Sequence, residues 1–160
     1  MNPIPLDLTI QHEVTHTELT DERLHLWVQT ALQTASTVYE DANLVPPFNQ
    51  AAFTLRFCDE KEGQELNKQY RNKDYATNVL TFEYGIDPEG TINSDIIICT
   101  SVLEKEALEQ GKPFIHHAAH LCVHGVLHAL GYDHIEDDDA EDMEALEVDI
   151  LHSLNIPNPY

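Results

Sequence analysis

Three histidines in the stretch His124-Gly-Val-Leu-His128-Ala-Leu-Gly131-Tyr-Asp-His134 can converge on one metal ion. Residues four apart on an α-helix lie roughly 40° apart around its axis, so the imidazoles of His124 and His128 point the same way. Gly131 follows three residues later, where a left-handed residue ends a helix without a Cβ clash. The chain can then fold back and present His134 to the same point. Three neutral imidazoles leave one position open on a tetrahedral zinc, which is the pattern of a catalytic site rather than a structural one.

The spacing matches the long metalloprotease motif H-E-x-x-H-x-x-G-x-x-H with one difference. Gly125 stands where the protease carries its general-base glutamate. An ordinary peptidase is therefore not expected. Histidines also fall at 116, 117 and 120, so His116, His120, His124 and His128 form an i, i+4 ladder. A histidine pair on a helix is more often solvated surface or a satisfied core group, and His120 with His124 is a rival ligand pair. A turn glycine and a third histidine favour 124, 128 and 134, because a three-ligand motif is more specific than a pair.

The elements that must position these groups can be read from composition and periodicity. At 160 residues, the expectation is one domain over 1–160 with a sizeable core. Cys58, Cys99 and Cys122 lie in apolar runs and read as buried, reduced thiols of a cytoplasmic protein. Neither a signal peptide nor a membrane span is expected. A formal net charge of −21 argues against loose electrostatic binding to nucleic acid. Four of the eight basic residues nevertheless fall at Lys61, Lys68, Arg71 and Lys73. They make either a local basic strip or an ordinary solvated helix face.

Residues 6–14, 53–57, 78–84 and 95–99 read as strands, the second by its strict alternation. Helices are expected after Thr20 and after Asp59, the latter running to about Arg71. Ser101 with Glu104 opens a third, closed at Gly111. Residues 114–130 form the metal helix, and Asp137 to Asp139 start the last, with Met143, Leu146, Ile150 and Leu154 as its core stripe. Leu80 and Phe82 read as core. The order β-α-β-α-β-β-α-α-α implies a mixed four-stranded sheet covered by helices. Short turns favour antiparallel pairing of the last two strands, and a helical crossover favours parallel pairing of the second and third.

The histidine stretch, Tyr70-Arg-Asn-Lys-Asp-Tyr-Ala-Thr-Asn-Val-Leu-Thr-Phe82, Ser94-Asp-Ile-Ile-Ile98 and Asp142-Met-Glu-Ala-Leu-Glu147 together resemble the YbeY-type endoribonucleases, a bacterial rRNA-maturation family. The resemblance covers nearly the whole chain. It departs at Thr81, where the family usually has Ser, and at Ser94, where it usually has Gly. It implies a zincin-like α+β fold with about five helices, one zinc per chain, and cleavage of single-stranded RNA. It also implies small-subunit rRNA 3′-end maturation, ribosome quality control, and the ribosome or a ribosomal protein as partner, without DNA or membrane. By position, His124, His128 and His134 would be the metal ligands and Arg71 the important basic residue.

The chemistry of phosphodiester hydrolysis agrees with that implication. Zinc polarises an oxygen and lowers the pKa of bound water, and an arginine fork matches phosphate oxygens. The nucleophile stays open between water and the RNA 2′-OH. Asp133 reads equally as an acceptor orienting a ligand imidazole and as a helix-end surface carboxylate. The rival classes are a metallopeptidase on the same fold and a non-catalytic ribosome-assembly factor with a structural zinc.

Overall fold

Alternation sets the sheet. In the computed structural model, which describes residues 3–132 and 136–160, Ala51, Phe53, Leu55 and Phe57 are buried while Ala52, Thr54 and Arg56 between them are partly exposed. Period two therefore gives β2 (Gln50–Cys58) one core face. β4 (Thr91–Cys99) repeats the pattern with Ile92, Ser94, Ile96 and Ile98. With β1 (Leu6–His12) and β3 (Val79–Ile86) these form one four-stranded sheet in the order β1-β2-β4-β3.

Five helices accompany it: α1 (Asp21–Asp41), α2 (Glu60–Arg71), α3 (Thr100–Gln110), α4 (Phe114–Ala129) and α5 (Asp137–Ser153). This is the α+β architecture expected, but one pairing differs. β4 is antiparallel to β3 as expected, yet β2 pairs in parallel with β1 and β4, not with β3. Burial explains the exchange. β4 carries Ile96 and Ile98 at 0% exposure and requires a strand on each side, whereas Glu83 to Ile86 of β3 are exposed and suit an edge. Thr81 and Ser94, the two departures from the family pattern, lie in β3 and β4. Their hydroxyls donate to the carbonyls of Gly125 (3.4 Å) and Phe82 (2.8 Å).

The caps follow the sequence at α1 and α2. Thr20 Oγ1 accepts from the Arg23 amide, and Asp59 from the Glu62 amide. α3 departs from expectation: it starts at Thr100, with Cys99 at the cap position and no side-chain cap. α2 closes on Asn72 in the left-handed conformation (φ 59°), which leaves Arg71 as its last residue. The loop beyond is pinned by buried Asn67, whose amide donates to the Tyr75 carbonyl at 2.7 Å.

α4 is the element on which the rest closes. From His117 to Ala129 every residue is buried except His120, His124 and His128. Such a helix can expose only one narrow stripe, and that stripe is histidine. The helix lies so close to the sheet that a Cβ on Gly125 would stand 2.7 Å from Ile96 Cγ2 and 3.2 Å from Val79 Cγ2. Both methyls branch directly from strand Cβ atoms, so neither can swing away. Leu80 and Phe82 both lie on the sheet face away from α4; Leu80 is buried as expected, whereas Phe82 is half-buried beneath Tyr70.

Overpacking this contact should cost about 1–3 kcal/mol, against ~1 kcal/mol gained by replacing a helical glycine. Gly125→Ala is therefore expected to be less stable than wild type in urea unfolding, and Gly125→Glu far less. A Gly125→Glu protein as stable as wild type would show that the close approach is not a constraint.

Candidate metal centre

Along the exposed stripe of α4, His124 and His128 stack one turn apart. Their ring centroids are 4.6 Å apart at an interplanar angle of 78°, and their Nε2 atoms are 3.1 Å apart. The helix ends where expected. Gly131 has φ +98°, its amide reaches the His128 carbonyl, and the Tyr132 amide returns to the Leu127 carbonyl at 3.0 Å. His134, the expected third ligand, and Asp133 lie outside the described residues.

The tautomer of His124 is fixed from behind. Glu147 of α5 is 0% exposed and accepts from His124 Nδ1 (2.9 Å), His120 Nε2 (3.1 Å) and the Tyr160 hydroxyl (2.5 Å). Burial alone would push its carboxyl pKa up. The hydrogen bonds from His120, His124 and Tyr160 outweigh that and hold it at about 2. An ionised carboxylate only accepts, so His124 must carry its proton on Nδ1 and keep the Nε2 lone pair for the cleft. Tyr160 responds in the opposite sense, its phenol pKa pushed up by burial and by the Glu147 charge.

This donor set fits a zinc ion. Two zinc–nitrogen bonds of about 2.05 Å at a tetrahedral angle hold their nitrogens about 3.3 Å apart, close to the 3.1 Å between the two Nε2 atoms. The carboxylate–histidine arrangement behind His124 is the usual orienting partner of a metal-bound imidazole. Among the described residues no group of three His, Cys, Asp or Glu is arranged to hold a metal ion. His120 of the rival pair is engaged elsewhere: its Nε2 is 3.1 Å from Glu147, and its Nδ1 is buried with no partner among the described residues. His117 is likewise engaged, with Nε2 2.9 Å from Glu106, which also accepts from the Asn78 amide at 3.2 Å.

Arg71 and the two histidines share one cleft of about 520 Å³, which also receives Asn78, Thr81 and Lys112. Arg71 is exposed at the end of α2 and makes no ion pair with the described residues. Arg56 differs: its guanidinium is bidentate on Glu62 at 2.7 and 2.8 Å, a structural bridge between β2 and α2. The spacing of the histidines was legible in the sequence, but Glu147 and Tyr160 were not assigned. For Glu147 a signal existed. It lies beside Met143, Leu146 and Ile150 on the apolar stripe of α5, where an unpartnered carboxylate would be costly.

The chain is similar to known proteins over nearly its whole length. The family described as Endoribonuclease YbeY matches residues 9–155. A protein of Herminiimonas arsenicoxydans named Endoribonuclease YbeY is 50% identical over 97% of this chain and 95% of its own length. One of the same name from Bordetella petrii is 51% identical, covering 100% of this chain and 99% of the relative. The solution structure of a Thermotoga maritima protein covers 94% of this chain and 91% of its own with a TM-score of 0.52; at 21% identity it supports the fold alone.

The folded Glu147 carboxyl titrates below its ordinary value of 4.5. Its stabilisation is therefore full above that pH and is lost as pH falls toward about 2. In metal-free protein, Glu147→Gln is expected to lower Tm at neutral pH and to flatten the fall in Tm across that acid range. A variant with the wild-type acid slope would mean that this carboxylate is not held as described.

Proposed function

The chain belongs to the Endoribonuclease YbeY family, and from that premise we propose that it is a zinc-dependent endoribonuclease acting on single-stranded ribosomal RNA. The observation that carries the proposal is the convergence of His124 Nε2 and His128 Nε2 at 3.1 Å, in a cleft that Arg71 also lines.

His124 and His128 would hold the metal, with His134 as third ligand. Zinc, when bound there, supplies Lewis acidity toward the phosphodiester. Glu147 orients His124 and stays ionised, so it is not a proton donor at neutral pH. Arg71 offers two parallel N–H groups to the phosphoryl oxygens, where charge grows in the transition state. Lys112 adds a positive charge to the same wall, although its Nζ also donates to the Pro159 carbonyl at 2.9 Å, while the Asn78 amide on that wall is taken up by Glu106.

The peptidase alternative is disfavoured by packing. At position 125 the protease glutamate would be driven into Ile96 and Val79 rather than into the cleft. The acidity of the whole chain shapes the remainder of the proposal. With a net charge of −21, long-range attraction to RNA is weak, so docking through a ribosomal protein supplies much of the affinity. Maturation of the small-subunit rRNA 3′ end and ribosome quality control fit such a partner-dependent enzyme. The described helices include none long and apolar enough to cross a membrane. Three buried free cysteines suit the reducing cytoplasm.

The test sets single-stranded rRNA beside duplex RNA and casein, each with chelator-treated and zinc-restored protein. Cleavage of the single strand alone, lost with chelator and regained with zinc, is expected; chelator-sensitive casein digestion would overturn the proposal. His124→Ala and His128→Ala should each lose stoichiometric zinc. Arg71→Ala should lose one to two decades in rate, a charge-assisted contact of about 1.5–3 kcal/mol, with zinc content and Tm unchanged. Arg71→Lys, keeping charge without the fork, should fall between. Wild-type cleavage by Arg71→Ala would remove it from the site.

A further inference from the structure

On the sheet face away from α4, β3 and α2 present aromatic surface used by neither the core nor the metal centre. Residues directly opposed in an antiparallel ladder share a face. Val79 and Thr81, opposite Ile98 and Ile96, look toward α4; Leu80 and Phe82, opposite Ile97 and Asp95, look away from it. Tyr70 of α2 meets Phe82 edge-on, with centroids 5.0 Å apart at 76°, yet stays 58% exposed. Tyr84 is 63% exposed, but its hydroxyl donates to Asp95 Oδ2 at 2.8 Å, so the ring is held in place.

Both rings sit on elements that also contribute residues to the cleft wall. Tyr70 directly precedes Arg71, which lines it. Tyr84 lies three residues beyond Thr81, another lining residue, or about 10 Å along a strand rising ~3.3 Å per residue. A strand that leaves the cleft and rounds the β3 edge onto the far face of the sheet reaches these two exposed aromatic rings. The surroundings exclude phosphate as the group recognised there, since Asp95 and Glu83 are neighbours of Tyr84. An aromatic face instead attracts a base, irrespective of its identity.

We propose that Tyr70 and Tyr84 form a stacking platform for the unpaired bases of the RNA strand flanking the scissile phosphate, an inference that rests on the endoribonuclease reading. Phe82 supports Tyr70 from below, and Asp95 tethers Tyr84. Duplex RNA gains nothing from the platform, because its bases have no free face. The platform thus adds a physical reason for single-strand preference that the metal centre alone does not supply.

The experiment compares a dodecanucleotide with a trinucleotide too short to leave the cleft, by cleavage kinetics and by fluorescence-anisotropy binding. Tyr70→Ala and Tyr84→Ala are each expected to raise KM and Kd for the long strand roughly tenfold, the worth of one base stack, with kcat unchanged. The trinucleotide should be cut as by wild type. Tyr70→Phe keeps the ring on Phe82 and should match wild type, whereas Tyr84→Phe keeps the ring but loses the Asp95 tether and should fall between wild type and Tyr84→Ala. Tyr70→Leu keeps apolar packing on Phe82 without the planar face and should behave like the alanine variant. Arg71→Ala should slow both substrates. Alanine variants that treat the long strand as wild type does, or that lose equally on the trinucleotide, overturn the platform while leaving the nuclease intact. If wild type cuts neither strand, the nuclease reading fails, and anisotropy still decides the platform: a raised Kd keeps it, an unchanged Kd rejects it.

Discussion

Glu147 reaches the back of α4 from α5 with no exposed surface, and receives hydrogen bonds from His120, His124 and Tyr160. A buried carboxylate without partners would be costly, so these donors are a condition of the fold as well as of the site. The consequence runs outward through one imidazole. Because Glu147 only accepts, His124 is protonated at Nδ1 and turns its Nε2 lone pair toward His128. Folding and metal readiness therefore share one interaction. His120, one turn earlier on the same stripe, is engaged with the same carboxylate.

The second constraint acts from the sheet side. Gly125 lets α4 settle against Ile96 and Val79 until no Cβ would fit, which fixes the height of His124 and His128 over the β3 edge. The residue that distinguishes this motif from the protease pattern is thus explained by packing. The glutamate is missing because the helix sits where the glutamate would have to be. The same close approach brings Thr81 and Val79 into the wall of the cleft, alongside Arg71 from the end of α2. Four elements contribute to that wall, yet two local devices set its geometry: a left-handed cap at Asn72 and a glycine contact at 125.

Much of this was legible in the sequence because it is periodic or local. Alternation at Phe53, Leu55 and Phe57 gave the core strand, and the i, i+4 histidines gave the exposed stripe. Strand order is a global property, and there the crossover rule misplaced β3 next to β2; exposure of Glu83 to Ile86 decides instead for the edge. The role of Glu147 depends on a contact across 23 residues of sequence, which no spacing rule encodes. Phe82 read as core because aromatic residues in strands usually are. Its half-exposed position follows from lying on the face that only α2 partly covers.

The account stands most directly on which nitrogens bind the metal. Crystals of protein purified without chelator, with data collected on either side of the zinc absorption edge, would place the ion by anomalous scattering. The account predicts zinc bonded to Nε2 of both His124 and His128, with His124 Nδ1 still donating to Glu147 and one coordination position held by solvent. Zinc on His120, on Nδ1 of His124, or closed in by four protein ligands would contradict it.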